Sequence, residues 1–296
     1  MLTIKNAAEL TGVSAHTLRA WERRYGLFSP ARADSGYRVY DDEAISRIKA
    51  MNALVSEGWS PREAAIEVLR RRAPDAVVGG TRQPSAPHDP YADLVQAAAT
   101  LDAARVSQLL DEQFALHDYE TVIDQWLMPA LSRVGREWAS GEVSVAGEHL
   151  VANTVLRRLS AAYEAAGRGL GRPLVIGAPP GVHHELGLMA FAVAARRVGL
   201  ATIYLGADVP LDAWSEAVAR SQARGVVTTA PRRSDAARAT QVAQRLAGDH
   251  PGLPVWVGGR FQHLVPAPAR PLGHRIGDAA RLLAAATTDQ GATHGA

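Results

Sequence analysis

The stretch Pro173–Ala207 reads PLVIGAPPGVHHELGLMAFAVAARRVGLATIYLGA and decides the architecture of the chain. It begins as a short apolar run and crosses a loop rich in Gly and Pro. It continues as a longer apolar segment through Arg197 and ends in a second short run. Short apolar runs bounded by Gly and Pro read as buried strands, and the longer run between them reads as a helix. The rhythm repeats downstream. A helix is expected from Leu211, VVTTAP at 226–231 precedes a helical run from Asp235, and LPVWVGG at 253–259 precedes the final segment. Strands alternating with helices imply a parallel sheet with right-handed crossovers. Ligands on such sheets bind beyond the carboxyl ends of the strands. The loops of interest are therefore Pro179–Gly187, Gly206–Pro210, Thr228–Arg233 and Gly258–Arg260.

Upstream, residues 91–168 carry helical periodicity instead. One helix holds Leu109, Leu110 and Phe114. A second runs from about Tyr119 to Trp138 with Val122, Ile123, Trp126, Leu127, Leu131 and Val134 on its apolar face, and Pro129 is expected to kink it. A third, about Val145–Ala166, carries Leu150, Val151, Val155, Leu156 and Leu159. Together they suggest a four-helix bundle. Before the bundle, residues 73–90 read APDAVVGGTRQPSAPHDP, with four prolines, two adjacent glycines and no helical period, which marks a linker. Residues 288–296 are small and polar and are expected to form a flexible tail.

At about 150 residues per domain, 296 residues suit two domains or three small ones. There are no cysteines, which excludes disulfides, thiolate zinc sites, iron–sulfur clusters and cysteine nucleophiles. The N-terminus carries no secretory pattern, and the longest apolar stretch, Leu186–Ala195, is about half a bilayer span. A soluble, cytoplasmic protein without membrane contact is expected. The net charge of +2 is unevenly placed: residues 1–72 hold 12 Lys and Arg against 9 Asp and Glu, and the remainder 20 against 21. A basic module thus precedes a neutral body, which favours a nucleic-acid contact at the N-terminal end.

Within residues 1–72, Ile4–Thr11 is an amphipathic helix, Gly12-Val13 a turn, and Ser14 a cap for a second helix ending near Tyr25. Two short helices about a Gly-containing turn form a helix-turn-helix. The second exposes His16, Thr17, Arg19, Arg23 and Arg24, with Leu18 and Trp21 inward. Gly36 suits a hairpin turn, with Arg38, Tyr37 and Tyr40 as a basic wing, followed by helices over about Asp41–Glu57 and Ser60–Arg72. The string LRAWERRYGLFSPARADSGYRVYDDEAISRIKAM resembles the MerR family of winged helix-turn-helix regulators. The resemblance implies double-stranded operator DNA as partner. Its contacts would be His16, Thr17, Arg19, Arg23 and Arg24 from the helix and Arg38 and Tyr40 from the wing.

In the body, histidines carry the information. His183 and His184 follow the first strand, and His149 lies in WASGEVSVAGEHL. An imidazole in a Gly-rich loop at a strand end can bind a metal, but three histidines without cysteine make a zinc site only if they converge. His184-x-x-Gly187 resembles the cobalamin-binding D-x-H-x-x-G motif, with Val182 at the acidic position. The resemblance implies a Rossmann-like cobalamin domain over 169–287. His184 would be the lower cobalt ligand, and Thr228, Thr229, Gly258 and Gly259 would line a slot for the cofactor's nucleotide tail. The spacing from Trp138 to Glu148-His149 resembles CarH-like B12-dependent photoreceptor repressors. That likeness implies that the 91–168 bundle covers the upper face of adenosylcobalamin. Trp138 would pack on the adenosyl group with Val145 beside it, Glu148 would meet the ribose, and His149 would become an upper cobalt ligand after photolysis. It implies a light-responsive repressor, not an enzyme, whose dimer or tetramer depends on ligand and light. Val182 keeps open a light-independent regulator sensing cobalamin or another tetrapyrrole such as biliverdin. The bundle-plus-cobalamin pair also resembles the corrinoid carrier of methyltransferases, and a regulator needing no cofactor is a further alternative.

Overall fold

The computed structural model describes residues 2–28, 31–32, 38–56, 61–70 and 89–291. The chain divides into two compact units, Met1–Gln83 and Pro84–Ala296. The expected linker up to residue 88, and the hairpin turn at Gly36 with Tyr37, lie outside the described residues.

The first unit contains β1 (Leu2–Thr3), α1 (Ile4–Thr11), α2 (Ala15–Tyr25), β2 (Ala31–Arg32), β3 (Arg38–Tyr40), α3 (Asp42–Ser56) and α4 (Pro61–Arg70). The helix-turn-helix forms for the reasons legible in its residues. Gly12 closes α1 in the left-handed region (φ 69°), and the Ser14 hydroxyl accepts the Thr17 N–H at 3.1 Å to cap α2. Leu18 and Trp21 are buried with Leu27, Phe28, Ile48 and Met51. β3 is the centre of a three-stranded antiparallel sheet, flanked by β1 and β2. The strand β1 has no sequence counterpart, because two residues carry no period.

The second unit contains α5 (Ala92–Ala99), α6 (Ala103–Leu116), α7 (Tyr119–Thr121), a π-helical segment (Val122–Leu127), α8 (Met128–Ser140) and α9 (Val145–Ala165). The sheet region follows with β4 (Leu170–Gly177), α10 (Leu186–Arg197), β5 (Leu200–Gly206), α11 (Leu211–Ser221), β6 (Gly225–Thr229), α12 (Asp235–Asp249), β7 (Val255–Gly258), a 3-10 turn (Gln262–Leu264), β8 (Arg270–Pro271) and α13 (Ile276–Gly291). The sheet is parallel, in the order β5-β4-β6-β7-β8. The two-residue strand β8 was not expected. The helix α13 runs to Gly291, so the start of the expected tail at residue 288 is corrected.

Alternation along the strands builds two cores. Leu174 and Ile176 of β4 and Val227 of β6 join a cluster with Leu188 and Phe191 of α10. The same cluster holds Ile123, Leu127, Val151 and Leu159 of the bundle. Val175, Val226, Val255 and Val257 point to the opposite face, onto Trp214 of α11 and Val242 and Leu246 of α12. Bundle and sheet therefore share one continuous hydrophobic interior.

The expected kink at Pro129 takes a particular form. The Met128 N–H donates to Ile123 O, five residues back, and Pro129 then sits in the first turn of α8. Proline has no N–H and its ring clashes with an α-register carbonyl, so a widened turn just before it relieves both problems. The widened turn contains Asp124, whose carboxylate accepts the N–H groups of Ile276 (2.7 Å) and Gly277 (3.1 Å) and so caps α13. Burial raises the Asp124 carboxyl above its ordinary 3.8, against the lowering effect of those two bonds. A raised carboxyl costs stability once pH climbs past its unfolded value. Wild type is therefore expected to lose stability relative to Asp124→Asn as pH rises from below 3.8 through the carboxylate range. Denaturant titrations of both proteins at a series of pH values measure the difference.

Candidate functional site

In the sheet, β4 is followed by β5 on one side and then by β6 on the other, so the chain reverses direction at β4. Loops leaving the carboxyl ends of β4 and β6 diverge there and open a crevice. His184 lies in the first of these loops, and Arg232 and Arg233 lie in the second. His184 is exposed, yet loop burial first and the Arg232 guanidinium second hold its imidazole below the ordinary 6.5. The carboxylates acting on it in the opposite direction are Asp235 and, from the bundle helix α9, Glu148. Glu148 thus acts on His184 electrostatically from the bundle, although 36 positions separate them in the sequence. A neutral imidazole offers its lone pair to a metal, and the environment favours that form.

Val182 is buried in the shared core and supplies no carboxylate. Glu185 does not replace it. Its Oε2 accepts the Tyr204 hydroxyl at 2.7 Å, so it is committed to β5. That acceptor and burial raise the Tyr204 phenol above its ordinary range, burial contributing most. The loop is instead held by Asp208, a residue not singled out from the sequence. Its Oδ1 accepts the Gly181 N–H at 2.6 Å, and its own N–H donates to Val182 O at 3.1 Å. Asp208 adopts φ 53°, which non-glycine residues take at a cost. The reciprocal pair offsets that strain and latches the loop after β4 to the loop after β5. No local pattern could reveal it, since it depends on the adjacency of two loops.

The slot residues lie at the ends of β6 and β7. Thr228 is fully buried, and its Oγ1 has no hydrogen-bond partner among the described residues. An orphaned buried hydroxyl costs about 1–3 kcal/mol, which a ligand group can recover. Thr229 is also buried. A Cβ at Gly258 would meet Thr228 O and Leu272 Cδ1 at ordinary contact distances of 3.9 and 4.0 Å, whereas Gly259 (φ 87°) is tightly confined: a Cβ there would lie 2.7 Å from Thr229 Oγ1 and 2.8 Å from the Ala230 carbonyl carbon. Gly187 opens α10 and is exposed, with nothing near its missing side chain.

On the bundle side, Trp138 at the end of α8 and Val145 at the start of α9 are 44% and 59% exposed, unusual for large apolar residues. Ser144 caps α9 by accepting the Gly147 N–H at 3.1 Å, which fixes the helix start that carries Glu148 and His149. His149 Nδ1 and Glu148 Oε2 are 2.8 Å apart, leaving Nε2 for a second partner. Among the described residues, no three His, Asp or Glu side chains converge as a metal site. The described residues thus offer single imidazoles rather than a ligand set for a bare ion, which fits a macrocycle bearing its own metal, and the orphaned Thr228 hydroxyl fits a buried polar tail.

On the first unit, His16, Arg19, Arg23 and Arg24 are exposed along α2, while Thr17 is half-buried with its hydroxyl 2.8 Å from that of Ser14. Tyr40 is a correction. It is fully buried, edge-on to Phe28 at 5.7 Å, and belongs to the core rather than to the DNA contact. Arg38 lies in β3, paired opposite Arg32, and its side chain lies outside the described residues.

Comparison with known proteins bears on these two surfaces together. Residues 2–70 match the model of the MerR HTH family of regulatory proteins. Residues 91–163 and 172–286 each match a B12 binding domain. The HTH-type transcriptional repressor CarH of Myxococcus xanthus is 37% identical over 263 residues, 86% of this chain and 88% of the relative. The chain belongs to the CarH family of MerR-type regulators. The repressor CarA of the same organism, 32% identical over 71% of this chain and 69% of its own length, is a second relative. The regulator MlrA of Escherichia coli K12 matches 58 residues only, 20% of this chain, at 41% identity. A monomethylamine corrinoid protein of Methanosarcina barkeri, 16% identical, covers 65% of this chain and 96% of its own at a TM-score of 0.52. At that identity the likeness speaks for the fold alone. This member of the CarH family is a DNA-binding regulator with a B12-binding domain. Among the described residues, no helix is long and apolar enough to cross a membrane.

Gly259→Ala is expected to destabilise the second unit by about 2–4 kcal/mol, combining the left-handed backbone with overpacking against Thr229 and Ala230. Chemical denaturation followed by tryptophan fluorescence measures the loss.

Proposed function

We propose that the chain is a light-responsive repressor that uses adenosylcobalamin as chromophore. The observation that supports it best is the electrostatic reach of Glu148, at the start of α9, to His184 in the loop after β4, together with the exposure of Trp138 and Val145 at the facing ends of α8 and α9. Adenosylcobalamin supplies a cobalt–carbon bond that visible light breaks. The chain supplies the rest. His184 would ligate the metal, and the Asp208 latch holds its loop. Thr228, Thr229, Gly258 and Gly259 receive the tail. Trp138 and Val145 would exclude water on the bundle side of the cofactor, Glu148 would accept hydrogen bonds from the group bound there, and His149, whose Nε2 is left for a second partner, would be the bundle's donor to the metal once that group is gone. The cofactor carries the photochemistry, and the protein contributes ligands, packing and a bistable interface.

In the dark, bound cofactor favours a homo-oligomer, a dimer or tetramer, that sets several α2 helices on one operator. Joining modest contacts raises their combined affinity through effective concentration. His16, Arg19, Arg23 and Arg24 are the contacts on each α2, Arg residues serving the phosphates. Light then separates the oligomer from the operator. Val182 favours a second reading, a regulator that senses cobalamin or another tetrapyrrole such as biliverdin without light, because His184 has no carboxylate two positions before it.

The full chain reconstituted with adenosylcobalamin is expected to change its visible spectrum, its size on gel filtration and its operator affinity after green-light illumination. An illuminated sample with the spectrum of the dark one would overturn the light-responsive reading. His184→Ala is expected to weaken cofactor binding about tenfold or more, read by spectral titration. For DNA, replacing Arg23 or Arg24 by Ala should weaken binding to all sequences and reduce the log–log salt slope by about one per residue. An unchanged slope in both variants would remove them from the interface.

A further inference from the structure

The loop between β6 and α12 carries more positive charge than its surroundings neutralise. Its acid, Asp235, is almost wholly buried and already satisfied. It accepts the Arg232 backbone N–H at 3.0 Å and the Ser234 hydroxyl at 3.4 Å, and it pairs with the Arg238 guanidinium at 3.1 Å. Arg238 in turn packs where a Gly181 side chain would stand, 3.3 Å from the ideal Cβ position, against the loop that carries His184. The charge of Asp235 is thus spent on Arg238. The guanidinia of Arg232 and Arg233 are exposed, and no carboxylate pairs with either among the described residues. The loop beneath them is fixed at both ends, by the end of β6 and by the Asp235 carboxylate. Four residues before Arg232, β6 holds Thr228 with its orphaned hydroxyl. Two adjacent cations on a loop anchored in this way, leaving the strand that carries a buried hydroxyl without a partner, suit an anionic group with several acceptor oxygens.

We infer that Arg232 and Arg233 form an anion subsite for the phosphodiester in the nucleotide tail of a complete cobalamin. The inference rests on the corrinoid reading given above. It adds a selectivity: the corrin side chains are neutral amides, so the phosphodiester is the anionic group that a tailed corrinoid carries and a truncated one lacks. The twin arginines make the protein a detector of the finished cofactor rather than of the ring.

The test compares adenosylcobalamin with adenosylcobinamide, which lacks the tail and its phosphate, on the full-length chain by spectral titration in the dark. Wild type should bind the tailed form at least about tenfold more tightly, with a preference that shrinks as salt rises. The double variant Arg232→Gln/Arg233→Gln should lose the salt-dependent part of that preference while its cobinamide affinity stays near wild type. Cobinamide still engages His184, so it controls for any effect of Arg232 on the imidazole. A preference unchanged in the double variant would overturn the subsite and leave the corrinoid reading standing. Failure of wild type to bind either corrinoid would overturn both. Tight binding of biliverdin alone, weakened in the double variant, would also overturn the phosphodiester assignment and give the arginines to propionates.

Discussion

Every strand in a sheet turns alternate side chains to opposite faces, and β4 uses both. Leu174 and Ile176 face α10 and the helical bundle, while Val175 faces α11 and α12. Because β4 is interior in the order β5-β4-β6, it also sets the point where the chain reverses direction. The two consequences are inseparable. The same strand that welds the bundle to the sheet opens the crevice into which His184 and the Arg232 loop project. Fully burying one such side chain contributes about 1.5–3 kcal/mol, so several of them hold together elements far apart in sequence.

Much of this was legible because the governing physics is local. Gly12 and Ser14 announce a turn and a cap, and the structure places both as such. Alternating strand and helix runs announced the parallel sheet. Tyr40 was misread for an equally physical reason. Its strand has three residues, too few for a period to say which face is buried, and pairing with β1 placed it inside. Glu185 and Asp208 were illegible in direction. Each meets a partner from another element, Tyr204 in one case and Gly181 in the other, and only the folded sheet brings them together.

The loop bearing His184 shows how a missing side chain can be replaced by backbone work. Where the resemblance leads one to expect a carboxylate, Val182 is packed into the core. A carboxylate there would orient the imidazole through its ring nitrogen. Asp208 acts one step earlier, on the path of the chain. Its bonds to Gly181 and Val182 fix where the loop can go, and the imidazole follows. Orientation by a ring contact is traded for orientation by loop shape, and the ring itself keeps more freedom.

The π-helical turn at Val122–Leu127 has a consequence for the whole bundle. Each residue of an α-helix advances the chain by about 100° around its axis. A widened turn absorbs one additional residue, and every side chain after it is carried around to a new azimuth. Val134 still reaches the core, and Trp138, one turn later, is delivered to the open rim. The segment works as a phase shifter inserted between two lengths of regular helix. Changing the number of residues between Tyr119 and Pro129 by one would rotate the rim tryptophan around the barrel of the helix while leaving its distance along the axis almost untouched.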